Sequence, residues 1–316
     1  MKGIQFIPNN TRVNFIGGRM AALVLSSVLI FASLFLTMTR GLNLGVDFTG
    51  GTIIEVKVPE QPNLSDLREQ LNGLGIGSVS IQEFGAPDDL LIRLPQQDED
   101  TPEAQKAAED EAQAAVRALL EENFEEAIDY RRTEFVGPQV GEELKKQGAY
   151  AVLFSLIGIL IYVWIRFEWQ FGVAALAALA HDSVLTIGFF ALTQMEFNLA
   201  TVAAILTIAG YSINDTVVVF DRIRENLRKF KKMALGELFN LSVNQTLSRT
   251  VMTSVTTLLA LMALYLFGGE VLRGFVTALI FGIFVGTYSS IFVAAPLLKF
   301  MNIRPTHPPS PEEASA

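Results

Sequence analysis

The chain has 316 residues, is 50% hydrophobic and has a mean hydropathy of +0.37, which excludes an ordinary soluble protein of this size. The formal net charge is −9, but residues 41–144 alone carry 23 acidic and 7 basic side chains, and so acidic a region argues against nucleic acid as a partner. Because the chain has no cysteine, disulfides, thiol chemistry and Cys-based metal sites are excluded.

Six apolar segments are each close to the 20 residues, or about 30 Å, that a helix needs to cross a bilayer. They predict an α-helical integral membrane protein with six transmembrane helices, at about 20–38, 149–167, 171–193, 198–220, 250–268 and 274–298. The first segment is too long for the apolar core of a typical signal peptide, and Thr37-Met38-Thr39-Arg40 is a poor cleavage site. We therefore expect it to be a retained anchor.

The charges of the loops predict the orientation in the membrane, because short basic loops stay on the cytoplasmic side. The connection 221–249 is rich in Arg and Lys, and basic residues also lie in 1–19 and in the tail 299–316. We therefore expect both termini in the cytoplasm and the acidic region 41–144 on the outer, periplasmic side. Residues 147–298 would then form a five-helix bundle.

The region 41–144 alternates between strand-like and helical patterns. Strands are predicted at 52–58, 78–84, 89–94 and 127–136, with a turn at 85–88. A short helix is predicted at 63–74 with Asn63 as its N-cap, and a long helix begins at Thr101 and Pro102. The order β-α-β-β-α-β predicts a ferredoxin-like α+β domain.

The long helix has a predicted apolar face, made by Ala108, Ala112, Ala115, Val116 and Leu119. Its acidic outer face either binds a basic partner or, as we favour, is simply solvated; it comprises Glu103, Glu109, Asp110, Glu111, Glu121 and Glu122. The run Asp98-Glu99-Asp100 favours a loop over a metal site, because no histidine accompanies it and calcium-loop spacing is absent.

Asp215 lies within the fourth predicted span. A carboxylate at membrane depth costs about 2.5–3.5 kcal/mol on insertion scales, so such residues usually face a bundle interior and handle an ion or a proton. Tyr211, Asn214 and Val218 are predicted on the same helix face. We expect Asp215 about 8 Å from the cytoplasmic end of its span.

Arg249 opens the fifth predicted span, and Thr253 and Thr257 continue it as a polar stripe. Because spans four and five run in opposite directions, we expect Arg249 at the depth of Asp215, and Asp182 offset from them by much of a half-bilayer. A carboxylate that alternates between apolar surroundings and an arginine takes up a proton in one state and releases it in the other. The alternatives are that Arg249 snorkels to the interface or that Asp215 is a permanently protonated packing residue.

Two further motifs in the predicted spans favour structural roles. Because adjacent helical residues point in different directions, we expect no hydrolase triad from His181-Asp182-Ser183. His181 is expected to be a structural hydrogen-bonding residue, since the other histidine, His307, lies in the tail. Gly282 and Gly286 form a GxxxG pair, which predicts close helix packing.

Four stretches carry a resemblance to a known family. They are GVDFTGG (45–51), HDSVLTIGFFAL (181–192), EFNLATVAAILTIAGYSINDTVVVFDRIREN (196–226) and LSRTVMTS (247–254). Together they resemble the SecD/SecF family of translocase subunits in the RND superfamily, and the last three resemble its SecF members. The residues that carry the family signature are Gly45, Asp47, Phe48, Gly50, Gly51 and His181.

This resemblance implies a non-enzymatic accessory subunit that uses the proton-motive force to promote preprotein export across the bacterial inner membrane. The implied partners are SecD, the SecYEG translocon, the translocating preprotein and YajC, and the proton is the only coupling ion or cofactor. The resemblance also implies that Asp215 is the proton-relay carboxylate and Arg249 its partner, with Asp182 and Asn214 in the same site.

Two other functions stay open at this point. One is an RND-type proton-coupled exporter of small molecules, although such proteins usually carry two large outside loops and twelve spans. The other is an assembly factor without energy coupling. Proton flux through the reconstituted pair, with and without Asp215, separates the assembly factor from a proton-driven subunit. A substrate-dependent transport signal from the purified protein with its partner would favour the exporter.

Overall fold

The structure is a computed structural model that describes residues 11–97, 101–301 and 303. The Asp98-Glu99-Asp100 run, His307 and the tail from Arg304 therefore lie outside the described residues. In chain order, the elements are α1 (Arg19–Thr39), α2 (Val46–Thr49), β1 (Gly51–Lys57), α3 (Leu64–Gly73), β2 (Ser80–Phe84), β3 (Ala86–Leu94), α4 (Pro102–Asn123), β4 (Asp129–Val136), α5 (Pro138–Arg166), α6 (Trp169–Thr193), α7 (Leu199–Lys229), α8 (Leu235–Phe267), α9 (Glu270–Ser289), a π-helical turn (Ser290–Ala294) and α10 (Ala295–Phe300).

The described residues fall into two compact units. The helical unit contains the described parts of Met1–Leu42, Val152–Met195 and Thr201–Ala316. The sheet unit contains Asn43–Ala151 together with the short segment Glu196–Ala200. The chain therefore passes between the two units four times: after Leu42, within α5, after Met195 and near the start of α7.

Among the described residues, six helices are long and apolar enough to cross a membrane, which confirms the predicted number of spans. The sixth is composite, because α9, the π-helical turn and α10 follow one another without a break. In the helical unit, the sixth span has the largest share of buried residues, followed by α6 and α7. In the apolar part of α5, only 6% of the residues are buried. The outer helices therefore present apolar side chains to their surroundings, as a lipid-facing helix does.

The predicted basic loop 221–249 is mostly helical. Helix α7 continues to Lys229 and α8 already begins at Leu235, so only residues 230–234 connect them. The extension of α7 is held by Asp221, which accepts hydrogen bonds from Arg166 at 2.9 Å and Arg224 at 3.1 Å. Arg and Lys are good helix formers, so a basic sequence gives no signal that a helix ends.

The sheet unit has the predicted ferredoxin-like organisation. Its four strands lie in the order β2-β3-β1-β4, and every neighbouring pair is antiparallel. One face of the central strands packs against α3 and α4 in a core that includes Ile54, Leu90, Ile92, Leu71, Val116 and Leu120. Val46 of α2 packs with Ile53 and Leu91 in a smaller cluster, so β1 is buried on both faces.

Local signals placed most element boundaries in this unit correctly. Asn63 caps α3 by accepting a hydrogen bond from the Ser65 N–H, and Thr101 caps α4 by accepting one from the Ala104 N–H. The predicted turn 85–88 is wrong, because β3 already begins at Ala86 and only Gly85 separates it from β2. The register shifts beside this turn, where Phe84 pairs directly with Ala86.

The placement of Glu109 on the solvated face of α4 is wrong. Its side chain is buried, with 4% of the residue exposed, and it accepts a hydrogen bond from the Thr52 hydroxyl at 3.3 Å. The buried face of α4 runs through Glu109, Ala112, Val116 and Leu120. Alanine occurs on both faces of α4 and therefore distinguishes the buried face poorly from the exposed one. The predicted buried face is displaced by about one residue from the observed face.

Replacing Glu109 with glutamine is expected to stabilise the protein at neutral pH. Burial raises the pKa of the Glu109 carboxyl above its ordinary value of 4.5, and the Thr52 hydroxyl opposes this only in part. The folded state therefore holds this proton more tightly than the unfolded chain does. Its contribution to stability is fully present below pH 4.5 and is lost as the pH rises through the folded-state pKa.

The gain in stability from Glu109→Gln should be about 1 kcal/mol at pH 8, where the ionised carboxylate is buried and its Oε1 has no hydrogen-bond partner. The gain should shrink at pH 4, where the carboxyl holds its proton. Thermal unfolding of the detergent-solubilised chain, followed by far-UV circular dichroism at both pH values, measures it. Glu111→Gln, an exposed change on the same helix, is the matched control. Equal gains at both pH values would contradict the assignment.

Candidate functional site

Asp215 lies inside the helical unit, on the buried side of α7, with 8% of the residue exposed. Its Oδ1 accepts a hydrogen bond of 2.5 Å from the Thr250 hydroxyl of α8. The Ser290 hydroxyl lies beside the carboxylate, but Oδ2 has no hydrogen-bond partner. One carboxylate oxygen is therefore free to carry a proton without breaking an existing hydrogen bond.

Arg249 is close enough for its charge to act on Asp215, but the two side chains are not in contact. In the described part of the chain, no ion pair within 4 Å joins them, and the Arg249 side chain is exposed. Arg249 also does not open its helix, since α8 begins at Leu235. Asp215 and Arg249 are thus near neighbours in a separated arrangement.

Asp182 is a buried hydrogen-bonding centre between three helices. Its Oδ2 accepts hydrogen bonds from the Ser212 hydroxyl of α7 at 2.5 Å and the Ser289 hydroxyl of α9 at 2.8 Å. Its Oδ1 lies 2.9 Å from Nδ1 of His181. Ser212 precedes Asp215 by less than one helical turn, or about 4.5 Å. The predicted half-bilayer offset between Asp182 and Asp215 is therefore wrong: helix packing brings both to the same region of α7.

The two carboxylates are connected through consecutive serines at the end of α9. Ser289 donates to Asp182, and Ser290 lies beside Asp215 and shares a 2.9 Å hydrogen bond with the Thr216 hydroxyl. Both serines are fully buried, and the π-helical turn Ser290–Ala294 starts here. Pro296 follows the turn and has no N–H to donate to the carbonyl four residues earlier, which favours such an irregularity.

His181 lies between Tyr288 and Asp182 in this arrangement. Its ring stacks on Tyr288 at 6.0 Å between centroids, and Nε2 is buried without a hydrogen-bond partner. The argument that adjacent side chains on a helix do not meet is wrong for His181 and Asp182. Ser183 nevertheless donates to the Leu179 carbonyl, so no triad forms.

The buried hydroxyls of the site were not predicted. On α8 the polar face that points inward is Thr246, Thr250 and Ser254, one residue away from the predicted stripe Arg249, Thr253 and Thr257. The spacing of four residues, repeated by Ser212 and Thr216 on α7, is the signal that would have found them. Asn214 is exposed on α7, and the hydrogen bonds that Asp182 and Thr250 make with Ser212 and Asp215 do not involve it.

The GxxxG pair of α9 packs closely against α7. A Cβ at Gly282 would collide with the Ile208 side chain, and one at Gly286 would lie 3.1 Å from Cβ of Ser212. The pair therefore brings Ser289 within reach of Asp182. In the residues that the structure describes, no group of three or more His, Cys, Asp or Glu side chains is arranged to hold a metal ion.

The signature residues 45–51 lie in the sheet unit. Gly45 precedes α2, Asp47 and Phe48 belong to it, and Gly50 and Gly51 lead into β1. Both of these glycines have positive φ, 73° and 108° respectively. L side chains rarely adopt this conformation, so the Gly-Gly pair is required by the backbone.

Comparison with known proteins agrees with these features. Residues 115–304 match the family described as protein export membrane protein SecD/SecF, C-terminal, and residues 35–58 match the SecD/SecF GG motif. Protein translocase subunit SecF of Rickettsia bellii is 46% identical over 295 residues, covering 93% of this chain and 95% of its own. The Rickettsia conorii SecF is 46% identical over 300 residues, covering 95% of each chain.

Two solved structures of SecDF share the fold. The translocon-associated SecDF from Thermus thermophilus matches with a TM-score of 0.83 and 39% identity, covering 94% of this chain and 39% of that chain. SecDF in its super-membrane-facing form matches with a TM-score of 0.68 and 37% identity, covering 96% and 40%. The chain thus spans about two fifths of SecDF, and it belongs to the SecD/SecF family as a SecF-type protein translocase subunit.

Proposed function

We propose that this chain is a non-enzymatic, proton-driven subunit of the Sec protein translocase, in which Asp215 carries the coupling proton. The observation that carries the proposal is the free Oδ2 of a buried carboxylate, with an exposed, unpaired arginine nearby. Protonated Asp215 is compatible with the separated arrangement, because a neutral group needs no partner charge. Ionised Asp215 would attract Arg249, which is the switching partner in this proposal.

Asp182 is the second acidic member of the proposed site. Its carboxylate is hydrogen-bonded to side chains of α6, α7 and α9. Asp182 would therefore hold the three helices in register while Asp215 changes its charge. Asn214 lies on the exposed side of α7, where it would contact a partner chain instead of Asp215.

The proposed partner is SecD. Arg249 and Asn214 are exposed polar side chains on apolar helices, and such groups normally face a bundle interior and not lipid. The SecDF chain is about two and a half times as long as the part that this chain covers, so the rest of a SecDF-like body would come from that partner. We propose SecYEG, the preprotein and YajC as further partners because the chain belongs to the SecD/SecF family.

The proposed orientation places both termini in the cytoplasm and the sheet unit in the periplasm of a bacterial inner membrane. The basic residues at the ends of α5 and α7 support it, because positive loops stay inside. The proton gradient then lies across the site. Each charge that crosses 100 mV gains about 2.3 kcal/mol, enough to bias a two-state change.

The test is Asp215→Asn in vesicles that contain SecYEG, a SecD partner and this chain. We expect normal assembly and unchanged export without a proton gradient, but loss of the extra export that a gradient produces. Asp221→Asn is the matched control, since it makes the same change on the same helix at a half-buried, ion-paired position. Full gradient-driven stimulation in Asp215→Asn would refute the relay assignment.

A further inference from the structure

The connection between α6 and α7 is bound to the signature segment of the sheet unit. Phe197 forms a parallel bridge with Leu44. The Gly45 N–H donates to the Phe197 carbonyl at 2.9 Å, and the Phe197 N–H donates to the Asn43 carbonyl at 2.8 Å. The Phe197 ring also lies 6.1 Å from that of Phe48. Residues 196–198 therefore follow residues 43–45 as a short extra strand would.

A sheltered ion pair reinforces this connection. Arg93, in the second central strand β3, pairs with Glu196, and their side chains are only 14% and 20% exposed. Arg93 also donates to the Asn43 side chain at 3.2 Å. A Cβ at Gly45 would lie 2.6 Å from the Glu196 carboxylate, so a side chain there would displace that carboxylate from its present position. The sheet, the signature and the connection are thus joined at one point.

Asp47 holds the first residue of α7. Its Oδ2 accepts a hydrogen bond of 2.9 Å from the Leu199 N–H, one of the first-turn donors that have no partner within a helix. A carboxylate at this end also interacts favourably with the helix dipole. Asp215 lies in the same helix, about 24 Å further along its axis. The signature acid therefore fastens one end of the helix that carries the candidate proton site.

We propose that Asp47, Arg93 and Glu196 are positioning residues that clasp the start of α7 to the sheet unit and pass its movement on to that unit. This inference rests on the proposed function, in which Asp215 takes up and releases a proton. A continuous helix transmits a shift or rotation along its axis, because its hydrogen bonds leave it little freedom to stretch. Without the clasp, α7 would still respond to protonation but would no longer pull on the sheet unit.

The experiment follows protonation and movement separately in the full chain reconstituted with SecD. The chain has no native cysteine, so Glu122→Cys on α4 and Arg228→Cys on α7, both exposed, accept spin labels at defined positions. Pulsed electron paramagnetic resonance then gives the distance between the labels as a function of pH. Labelling of Asp215 by dicyclohexylcarbodiimide reports proton uptake independently. A protonated carboxyl in apolar surroundings adds to this reagent: its oxygen bonds to the carbodiimide carbon and its proton passes to a carbodiimide nitrogen.

We expect the distance in the otherwise unchanged chain to shift with pH at the midpoint of the carbodiimide reaction. Asp47→Leu should keep the labelling of Asp215 but lose the shift in distance. Asp47→Asn, which keeps an oxygen acceptor, should retain it. Arg93→Glu should also lose the shift, and the exchanged pair Arg93→Glu with Glu196→Arg should regain it, which a simple folding defect would not do.

The outcomes separate the two proposals. If Asp47→Leu and Arg93→Glu both keep the pH-dependent distance, the clasp is wrong while the proton site stands. If Asp215 is not labelled at any pH and the unchanged chain shows no shift, the proposed function fails and the clasp fails with it. Loss of the shift in Arg93→Glu without recovery in the exchanged pair also counts against the clasp.

Discussion

Asp182→Leu is expected to lower the free energy of unfolding by about 3–5 kcal/mol, because three buried polar groups each lose a partner at a cost of at least about 1 kcal/mol. The substitution removes the acceptor of Ser212, Ser289 and His181, which lie on three different helices. Two hydroxyls and an imidazole would then be buried without that partner, and each such loss is costly in an apolar interior. Leucine shares the branching of aspartate at Cγ but contributes no compensating hydrogen bond.

Thermal unfolding of the detergent-solubilised chain, followed by tryptophan fluorescence, measures this change. Asp182→Asn keeps the shape and one carbonyl acceptor, and serine hydroxyls can accept as well as donate, so we expect a loss of only about 1–2 kcal/mol. Ser183→Ala is the neighbouring control, since its hydroxyl bonds only to the backbone of its own helix. If Asp182→Leu unfolds at the temperature of the unchanged chain, the cluster does not hold the three helices together.

The sequence predicted the elements of this fold better than their contacts. The six spans follow from apolar length alone, and the ferredoxin-like order follows from strand alternation and from the capping residues Asn63 and Thr101. These signals are local, so no knowledge of the packing is needed to read them. The same holds for the glycine pair Gly282 and Gly286, because the prediction of close helix packing depended only on their small size and spacing.

The candidate site was only partly predictable, because its geometry depends on how helices pack. Asp215 and Asp182 stand out as carboxylates in apolar segments, but their common neighbour Ser212 does not, since serine is ordinary in a span. Counting residues along each helix predicted that the two acids lie at different depths in the membrane. In the structure, helix packing places Asp182 and Asp215 beside consecutive serines at the end of α9. The clasp at Asp47 was equally hidden, because it joins residues 152 positions apart in the chain.

Gly51→Ala is expected to destabilise the sheet unit by about 2–6 kcal/mol, from backbone strain of about 1–3 kcal/mol and a steric clash of similar size. Its φ of 108° is one that L side chains rarely adopt. A Cβ there would collide with the carbonyl oxygen of Leu94 and lie 3.3 Å from the backbone N of Gln96. Backbone atoms in a sheet cannot move aside as a flexible side chain does, so the clash is not relieved locally.

The matched control for Gly51→Ala is Gly73→Ala in the same unit. Gly73 is the last residue of α3, its φ is not positive, and a Cβ there meets no atom within 4 Å. Alanine should therefore be neutral or slightly stabilising at this position, because it lowers the entropy of the unfolded chain. Chemical unfolding of the full chain, monitored by circular dichroism in the strand region, compares the two. Because Gly51 and Asp47 lie in the same signature segment, replacing Gly51 should also weaken the clasp. If the Gly51→Ala and Gly73→Ala variants are equally stable, the backbone does not require the Gly-Gly pair.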